Sequence, residues 1–308
     1  MSAVVSSNSI RPSIPAGLAF QEQPLKHSSL NLTPTGGLVG AVVSGLDLSR
    51  PLTPETILRL QQAWREHLIL IFKGHLLSDS QYIDFATYFG NVFFPPDDVP
   101  VLASNSDGSV PKIVLVANVE GGYTGSGELS PHIDHHWTPY PSKGSFLYAL
   151  EVPTEGGDTY WSNLYQVYDD LDEAIKRRIA GLQLITYNPF KRQPGEKRPS
   201  YRDLSQPPLS EAYPHPLVAT HPETGRKLLY LDYATEVEVV GLDPAEGAAL
   251  IASLRKHLIQ SKYYYRHQWT VGDIVLWDNL ATLHYRPAFE PNQRRVLKRI
   301  SLAGGRPF

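Results

Sequence analysis

The chain alternates short apolar runs with polar stretches dense in Gly, Pro, Asn and Asp. Leu68–Phe72 (LILIF) has the length and unbroken apolarity of a buried strand. Ile113–Val116, Ser145–Leu150, Thr159–Ser162, Tyr263–Trp269, Ile274–Trp277 and Val296–Ala303 read as further strands, as do Val218–Thr220, Leu228–Leu231 and Val237–Val240. Gly37–Leu46 predicts a strand and turn. Ile57, Leu58, Leu60, Trp64 and Leu68 recur at helical spacing behind a Thr53 cap and predict a helix over Thr53–His67. Ser78–Phe89 predicts a second helix, stopped by Gly90. Asn163–Leu184 is helix-rich, and Asp243–Lys256 predicts a helix with Pro244 at its first position. Glu120–Ser130 is Gly-rich and predicts a loop. There is no repeat and no βαβ rhythm, so the expected fold is mainly β with flanking helices: an antiparallel double sheet in one domain over residues 31–308. Residues 1–30, rich in Ser and Pro, read as a flexible tail, with a short strand as the alternative. Tyr187–Pro216 holds seven of the 26 prolines and reads as an insertion, a lid or surface excursion.

Composition narrows the chemistry. The 308 residues are 42% hydrophobic and 19% charged, ordinary for a folded globule. The net charge of −3 gives nucleic acid no electrostatic footing, so the Tyr263–His267 cluster reads as a strand and Lys191–Arg202 as a solvated basic face. No apolar run has the roughly 20 residues of a membrane span, and the first residues do not read as a secretory signal. Cytoplasm is the expected compartment. With no cysteine, disulfides, thiolate metal sites and iron–sulfur clusters are excluded, and any metal must be held by nitrogen and oxygen.

Three of the eleven histidines fall in one hexapeptide, His132-Ile133-Asp134-His135-His136-Trp137. On a strand, His132 and Asp134 share a face and could hold one divalent ion. A third ligand could come from His284, 150 residues after Asp134. Two His and one carboxylate with open positions opposite are the facial triad of non-haem Fe(II) oxygenases. A bare H-x-D also arises by chance, and the rest of the chain decides its weight.

Four segments occur in order: His132-x-Asp134; Gly156-Gly157-Asp158-Thr159-Tyr160-Trp161; Gly272 to Asn279 (GDIVLWDN) leading to His284; and Gln293-Arg294-Arg295 with Arg299 four residues on. Together with His221-Pro222-x-x-Gly225-Arg226-Lys227, this set resembles the taurine dioxygenase / 2,4-dichlorophenoxyacetate dioxygenase (TauD/TfdA) family of Fe(II)- and 2-oxoglutarate-dependent dioxygenases, from about Leu38 to Phe308. The resemblance implies a double-stranded β-helix (jelly-roll) core and makes His132, Asp134 and His284 the iron ligands. It makes Thr159 and Arg295 the partners of the distal carboxylate of 2-oxoglutarate, in keeping with the guanidinium fork that a carboxylate takes. Arg299, on the same strand face as Arg295 and about 13 Å away at strand rise, is implied to hold either the substrate's anionic group or the cosubstrate's C1 carboxylate; the alternative is a solvated basic edge. The implied reaction consumes O2, decarboxylates 2-oxoglutarate to succinate and CO2, and oxidises, by default hydroxylates, a substrate C–H bond. Homodimers or homotetramers are implied as possible assemblies. A metal enzyme without 2-oxoglutarate, or a non-catalytic metal- or ligand-binding protein on the same scaffold, are the competing readings.

For the substrate, the resemblance implies a small organic anion. Taurine-type members place histidines soon after a Phe-Gly pair; here Phe89-Gly90 is followed by Asn91-Val92-Phe93-Phe94-Pro95-Pro96, with none. Phe93, Tyr123, Trp137 and Tyr233 are candidate pocket walls, with ordinary packing as the competing role. His135 should face away from Asp134 on an ideal strand and borders the substrate if the strand ends there.

Overall fold

The computed structural model describes residues 30–94, 111–189, 200–202 and 212–308. The expected flexible tail and most of the Pro-rich insertion, with nearly all of its basic cluster, lie outside the described residues. In chain order the elements are β1 (Asn31–Pro34), β2 (Ala41–Ser44), α1 (Pro54–His67), β3 (Ile69–Phe72), α2 (Asp79–Thr87), β4 (Val114–Ala117), β5 (Leu129–His132), β6 (Gly144–Glu151) and β7 (Thr159–Asn163). There follow α3 (Leu164–Asp169), α4 (Glu173–Ile179), β8 (Gln183–Tyr187), β9 (Ala212–Pro216), β10 (Val218–Thr220), β11 (Lys227–Leu229), β12 (Val237–Val239) and α5 (Pro244–Leu258). The chain closes with β13 (Tyr264–His267), β14 (Ile274–Asp278), β15 (Thr282–Arg286) and β16 (Val296–Leu302).

Two sheets form the barrel. The larger runs β1-β2-β3-β14-β6-β16-β4 and the smaller β13-β7-β15-β5. All pairings in both are antiparallel except β2 with β3. This is the jelly-roll architecture with helices on its outside. The larger sheet is buried on both faces, which is why LILIF and IVLW are continuous apolar runs rather than alternating ones. One face, including Leu70, Phe72, Phe146, Leu276 and Ile300, packs under α1 and α2. The other, including Ile69, Ile71, Leu147, Val275, Trp277 and Leu297, faces Trp161 and Leu283 of the smaller sheet. Arg295 and Arg299 follow the parity of Leu297, so the sheet aims both guanidinium groups into the barrel.

The helices begin where side-chain caps supply the missing acceptors. Thr53 accepts from the Thr56 amide before α1, and Ser78 and Gln81 form a reciprocal capping box before α2. Asp243 caps α5, whose first residue is Pro244.

The sequence reading is corrected at several places. Glu120–Ser130 is not all loop, since its last two residues belong to β5. His284 follows the strand β14 and its turn as expected, but it sits inside a further strand, β15, which the hydrophobic pattern did not reveal. The helix-rich stretch Asn163–Leu184 ends sooner, at Ile179, and its last two residues start β8. The two ends of the Pro-rich stretch are themselves strands, β8 and β9, paired with each other.

Phe146 is fully buried, edge-on to Tyr82, Phe85 and Phe89. Phe146→Ala should destabilise the fold by about 3–5 kcal/mol, measured as a lowered midpoint of urea unfolding at unchanged slope.

Candidate metal centre

His132 and His284 are register partners across β5 and β15, with ring centroids 4.1 Å apart. Asp134 completes the set: the three side chains each offer one donor atom, and these atoms lie within 4.8 Å of one another. Asp134 does not share a strand with His132, as the H-x-D spacing had implied. The strand ends at His132, and Asp134 lies in the turn that follows. Asn279 holds that turn in place. Its Oδ1 accepts from the Asp134 amide at 2.9 Å, and its Nδ2 donates to the Asp134 carbonyl at 2.8 Å and to the Ser142 carbonyl at 2.8 Å. Asn279 belongs to the WDN segment noted in the sequence, but nothing there marked it as the clamp on a candidate ligand.

The donor set fits a divalent cation. His132 Nδ1 donates to the Ser130 carbonyl at 2.7 Å, which leaves the Nε2 lone pair free on the side of Asp134, 3.6 Å away. His284 is buried, and its Nδ1 has no hydrogen-bond partner among the described residues. Burial pushes His284 down to about 3, helped by the neighbouring His132, so its ring is neutral and available as a ligand. Burial opposes charge on Asp134 too, but the Arg299 guanidinium and the His132 hydrogen bond more than offset it and hold the carboxyl well below its ordinary value. Arg299 Nη1 stands 3.3 and 3.4 Å from the two Asp134 oxygens.

One cavity joins His132 and His284 to Thr159, Arg295, Arg299 and Tyr123, and Asp134 adjoins it through Arg299. At the Arg295 end, the guanidinium is buried, donates from Nε to the Gly157 carbonyl at 2.8 Å and from Nη2 to Thr159 Oγ1 at 3.2 Å. Gly157 is at φ +70, and a Cβ there would lie 3.1 Å from Arg295 Cδ, so the glycine makes room for the arginine. Thr159 Oγ1 also accepts from Trp269 Nε1 at 2.9 Å. With both lone pairs taken, its O–H is left to donate, which suits an incoming anion. Arg299 packs over the Tyr123 ring at 5.3 Å, and its buried Nε has no partner among the described residues.

The aromatic wall forms a second grouping. The strand ends before His135, so this residue turns inward after all, at φ +60. Its ring stacks on Phe93 at 4.2 Å, lies 5.9 Å from Trp137, and is fixed by Ser142 Oγ at 3.0 Å. Burial pushes His135 down to about 4. Tyr233 is not brought to this site; it lines an outer groove with Tyr160, Tyr264 and Tyr285. Arg286 was not singled out from sequence, yet it is buried in the same cavity as Arg295.

Two measurements follow from this geometry. Asn279→Ala should weaken divalent-metal affinity about 10–100-fold, the usual effect of removing a group that orients a ligand, read by calorimetric titration with Mn(II). The metal-free protein should lose stability as pH falls from about 6.5. His284 and His215, both pushed down to about 3, and His135, at about 4, bind protons more readily unfolded than folded in that window. His132 opposes them in part: burial lowers it, but Asp134 and the Ser130 carbonyl together more than offset burial and raise it. A flat urea midpoint between pH 6.5 and 4 would contradict this.

Comparison with known proteins agrees with this architecture. Residues 28–301 match the family described as taurine catabolism dioxygenase TauD, TfdA family. The chain is 32% identical to the alpha-ketoglutarate-dependent 2,4-dichlorophenoxyacetate dioxygenase of Burkholderia sp. (strain RASC), covering 86% of this chain and 91% of that protein. It is 31% identical to the (S)-phenoxypropionate/alpha-ketoglutarate-dioxygenase of Delftia acidovorans, covering 90% and 96%. The crystal structure of a taurine dioxygenase from Burkholderia xenovorans superposes with a TM-score of 0.75 at 27% identity, covering 91% of each chain. A match along nearly the whole chain makes this protein, whose barrel gathers a His–Asp–His set, a member of the TauD/TfdA dioxygenase family.

Proposed function

We propose that this protein is an Fe(II)- and 2-oxoglutarate-dependent dioxygenase that hydroxylates a C–H bond of a small organic anion carrying an aromatic ring. The observation that carries the reading is one cavity that reaches His132 and His284 of the His132–Asp134–His284 cluster and, separately, a buried Arg295–Thr159 pair in which Arg295 has no ion-pair partner among the described residues. The three ligands hold the metal on one side and leave the other to small molecules. Arg295 and the Thr159 hydroxyl grip the distal carboxylate of 2-oxoglutarate. Bound iron would supply the O2 chemistry, coupled to loss of CO2 from 2-oxoglutarate and formation of succinate.

The substrate class rests on charge and shape. Arg286, Arg295 and Arg299 line the cavity with Asp134 as the carboxylate among them. After a dicarboxylate and a dication bind, the charges add to a net positive, which favours an anionic substrate. Arg299, with its free Nε, would hold the substrate's anionic group. Phe93, His135, Trp137 and Tyr123 offer flat faces for a ring. The relatives named for 2,4-dichlorophenoxyacetate and (S)-phenoxypropionate support an aryl-substituted carboxylate. A metal-binding protein without turnover has less support, because it leaves the Arg295–Thr159 anchor without a role.

Anaerobic addition of Fe(II) and then 2-oxoglutarate should produce the visible charge-transfer absorption of a metal-chelated keto acid. Folded protein without that band would sink the cosubstrate assignment. Asp134→Ala should abolish the band. Arg295→Ala should leave iron binding intact and raise the 2-oxoglutarate requirement about tenfold or more, since a charge-assisted hydrogen bond contributes about 1.5–3 kcal/mol. Succinate release across a panel of aryloxy and simple aliphatic carboxylates then tests the ring.

A further inference from the structure

Arg286 is the last residue of β15, two after His284, so it points to the same inner face. It is 3% exposed and makes no ion pair among the described residues. Its guanidinium instead gathers three successive backbone carbonyls: Nη2 donates to Gly125 at 2.9 Å and Gly127 at 2.6 Å, and Nη1 to Ser126 at 3.4 Å. The Phe289 ring lies 4.8 Å beneath it, and the Phe289 amide donates to the same Ser126 carbonyl at 3.0 Å. The glycine loop has little else to hold its tip. At Gly125 and Gly127 an added Cβ would meet nothing within 4 Å. Its start is tied down separately: Gly122 packs so close to the Ala117 carbonyl that a Cβ would sit 2.3 Å from it, and the Tyr123 amide donates to the Leu115 carbonyl at 3.3 Å. Tyr123 is the ring against Arg299.

The β5–β15 pairing explains why a side chain takes this role. Its register shifts between His284 and Arg286, and upstream of Leu129 no ladder continues. The carbonyls of residues 125–127 therefore have no strand partner, and the Arg286 fork replaces the missing amides. The same guanidinium faces a second one. Arg295 shares the cavity, and after burial the Arg286 charge is what most disfavours its protonated form.

We propose that Arg286 is a positioning residue for cosubstrate binding: it latches the glycine loop as the roof of the cavity, and the distal carboxylate of 2-oxoglutarate tightens the latch by screening Arg286 from Arg295. The second half rests on the cosubstrate assignment above; the first does not.

Hydrogen exchange of the amides of residues 120–128 tests both halves. In metal-free wild type these amides should exchange slowly, and Arg286→Met should speed them about tenfold or more while amides of β14 stay unchanged. In wild type loaded with Mn(II), 2-oxoglutarate should slow the loop further, and Arg286→Met should lose that response. Its KM for 2-oxoglutarate should rise about tenfold with a smaller loss in kcat. Arg286→Lys keeps the charge but cannot span three carbonyls; it should respond to 2-oxoglutarate yet leave the loop loose, and it serves if the Met variant does not fold. Unchanged loop exchange in either variant overturns the latch. Unchanged loop exchange in wild type when 2-oxoglutarate binds, as seen by its charge-transfer band with Fe(II), overturns the tightening. Failure of 2-oxoglutarate to bind wild type at all overturns the cosubstrate assignment and the tightening with it, and leaves the metal-free comparison to judge the latch.

Discussion

Three guanidinium groups meet one carboxylate in the buried interior of the barrel, and the arrangement of the site follows from how those charges are met. A buried cation without a partner is strongly unfavourable. The fold answers with dipoles rather than acids: three loop carbonyls for Arg286, the Gly157 carbonyl and Thr159 for Arg295, and only for Arg299 the Asp134 carboxylate. Neutral dipoles solvate a cation without cancelling it. The cavity thus keeps a positive field, and nitrogens such as Arg299 Nε keep unused donors. Both features suit a protein that must take up a dicarboxylate and then a second anion.

The two-sided larger sheet makes that interior possible. The apolar outer face of its central strands packs under α1 and α2, so its inner face is free to carry arginines on the parity of Leu297 without losing the core. The smaller sheet contributes less burial and more chemistry: Thr159, His284, Arg286 and His132 all come from it. Stability and reactivity are divided between the two layers.

That division decides what could be read from the sequence. Strands of the larger sheet were legible because both faces are apolar, as in LILIF and IVLW. The helices α1, α2 and α5 were legible from spacing, the Thr53 cap, the Gly90 stop and Pro244 at a first position. β5 (LSPH) and β15 (TLHYR) escaped because their inward positions are taken by ligands and an arginine, which erases the apolar alternation that marks a strand. The ligand trio and the Arg295–Thr159 pair were visible as an ordered set of motifs. Asn279 and Arg286 were not assigned roles, because each acts on backbone atoms of a segment more than a hundred residues away, and backbone partners leave no trace in side-chain patterns. His132 and Asp134 come together as expected but not by strand parity: a turn, not a pleat, brings the carboxylate round.

The turn has a further consequence for how such a site can vary. Asn279 Nδ2 binds the Asp134 carbonyl and also the Ser142 carbonyl and hydroxyl, and the same hydroxyl fixes His135. A metal ligand and an aromatic-wall residue one position apart therefore hang on one amide. His135 sits in a left-handed conformation that a non-glycine residue adopts only when its surroundings over-determine it. Here those surroundings are the Ser142 hydrogen bond and the Phe93 stack. A change at Ser142 or Phe93 that frees His135 also relaxes the backbone that carries Asp134, so the candidate aromatic wall and the candidate metal ligand are mechanically one unit.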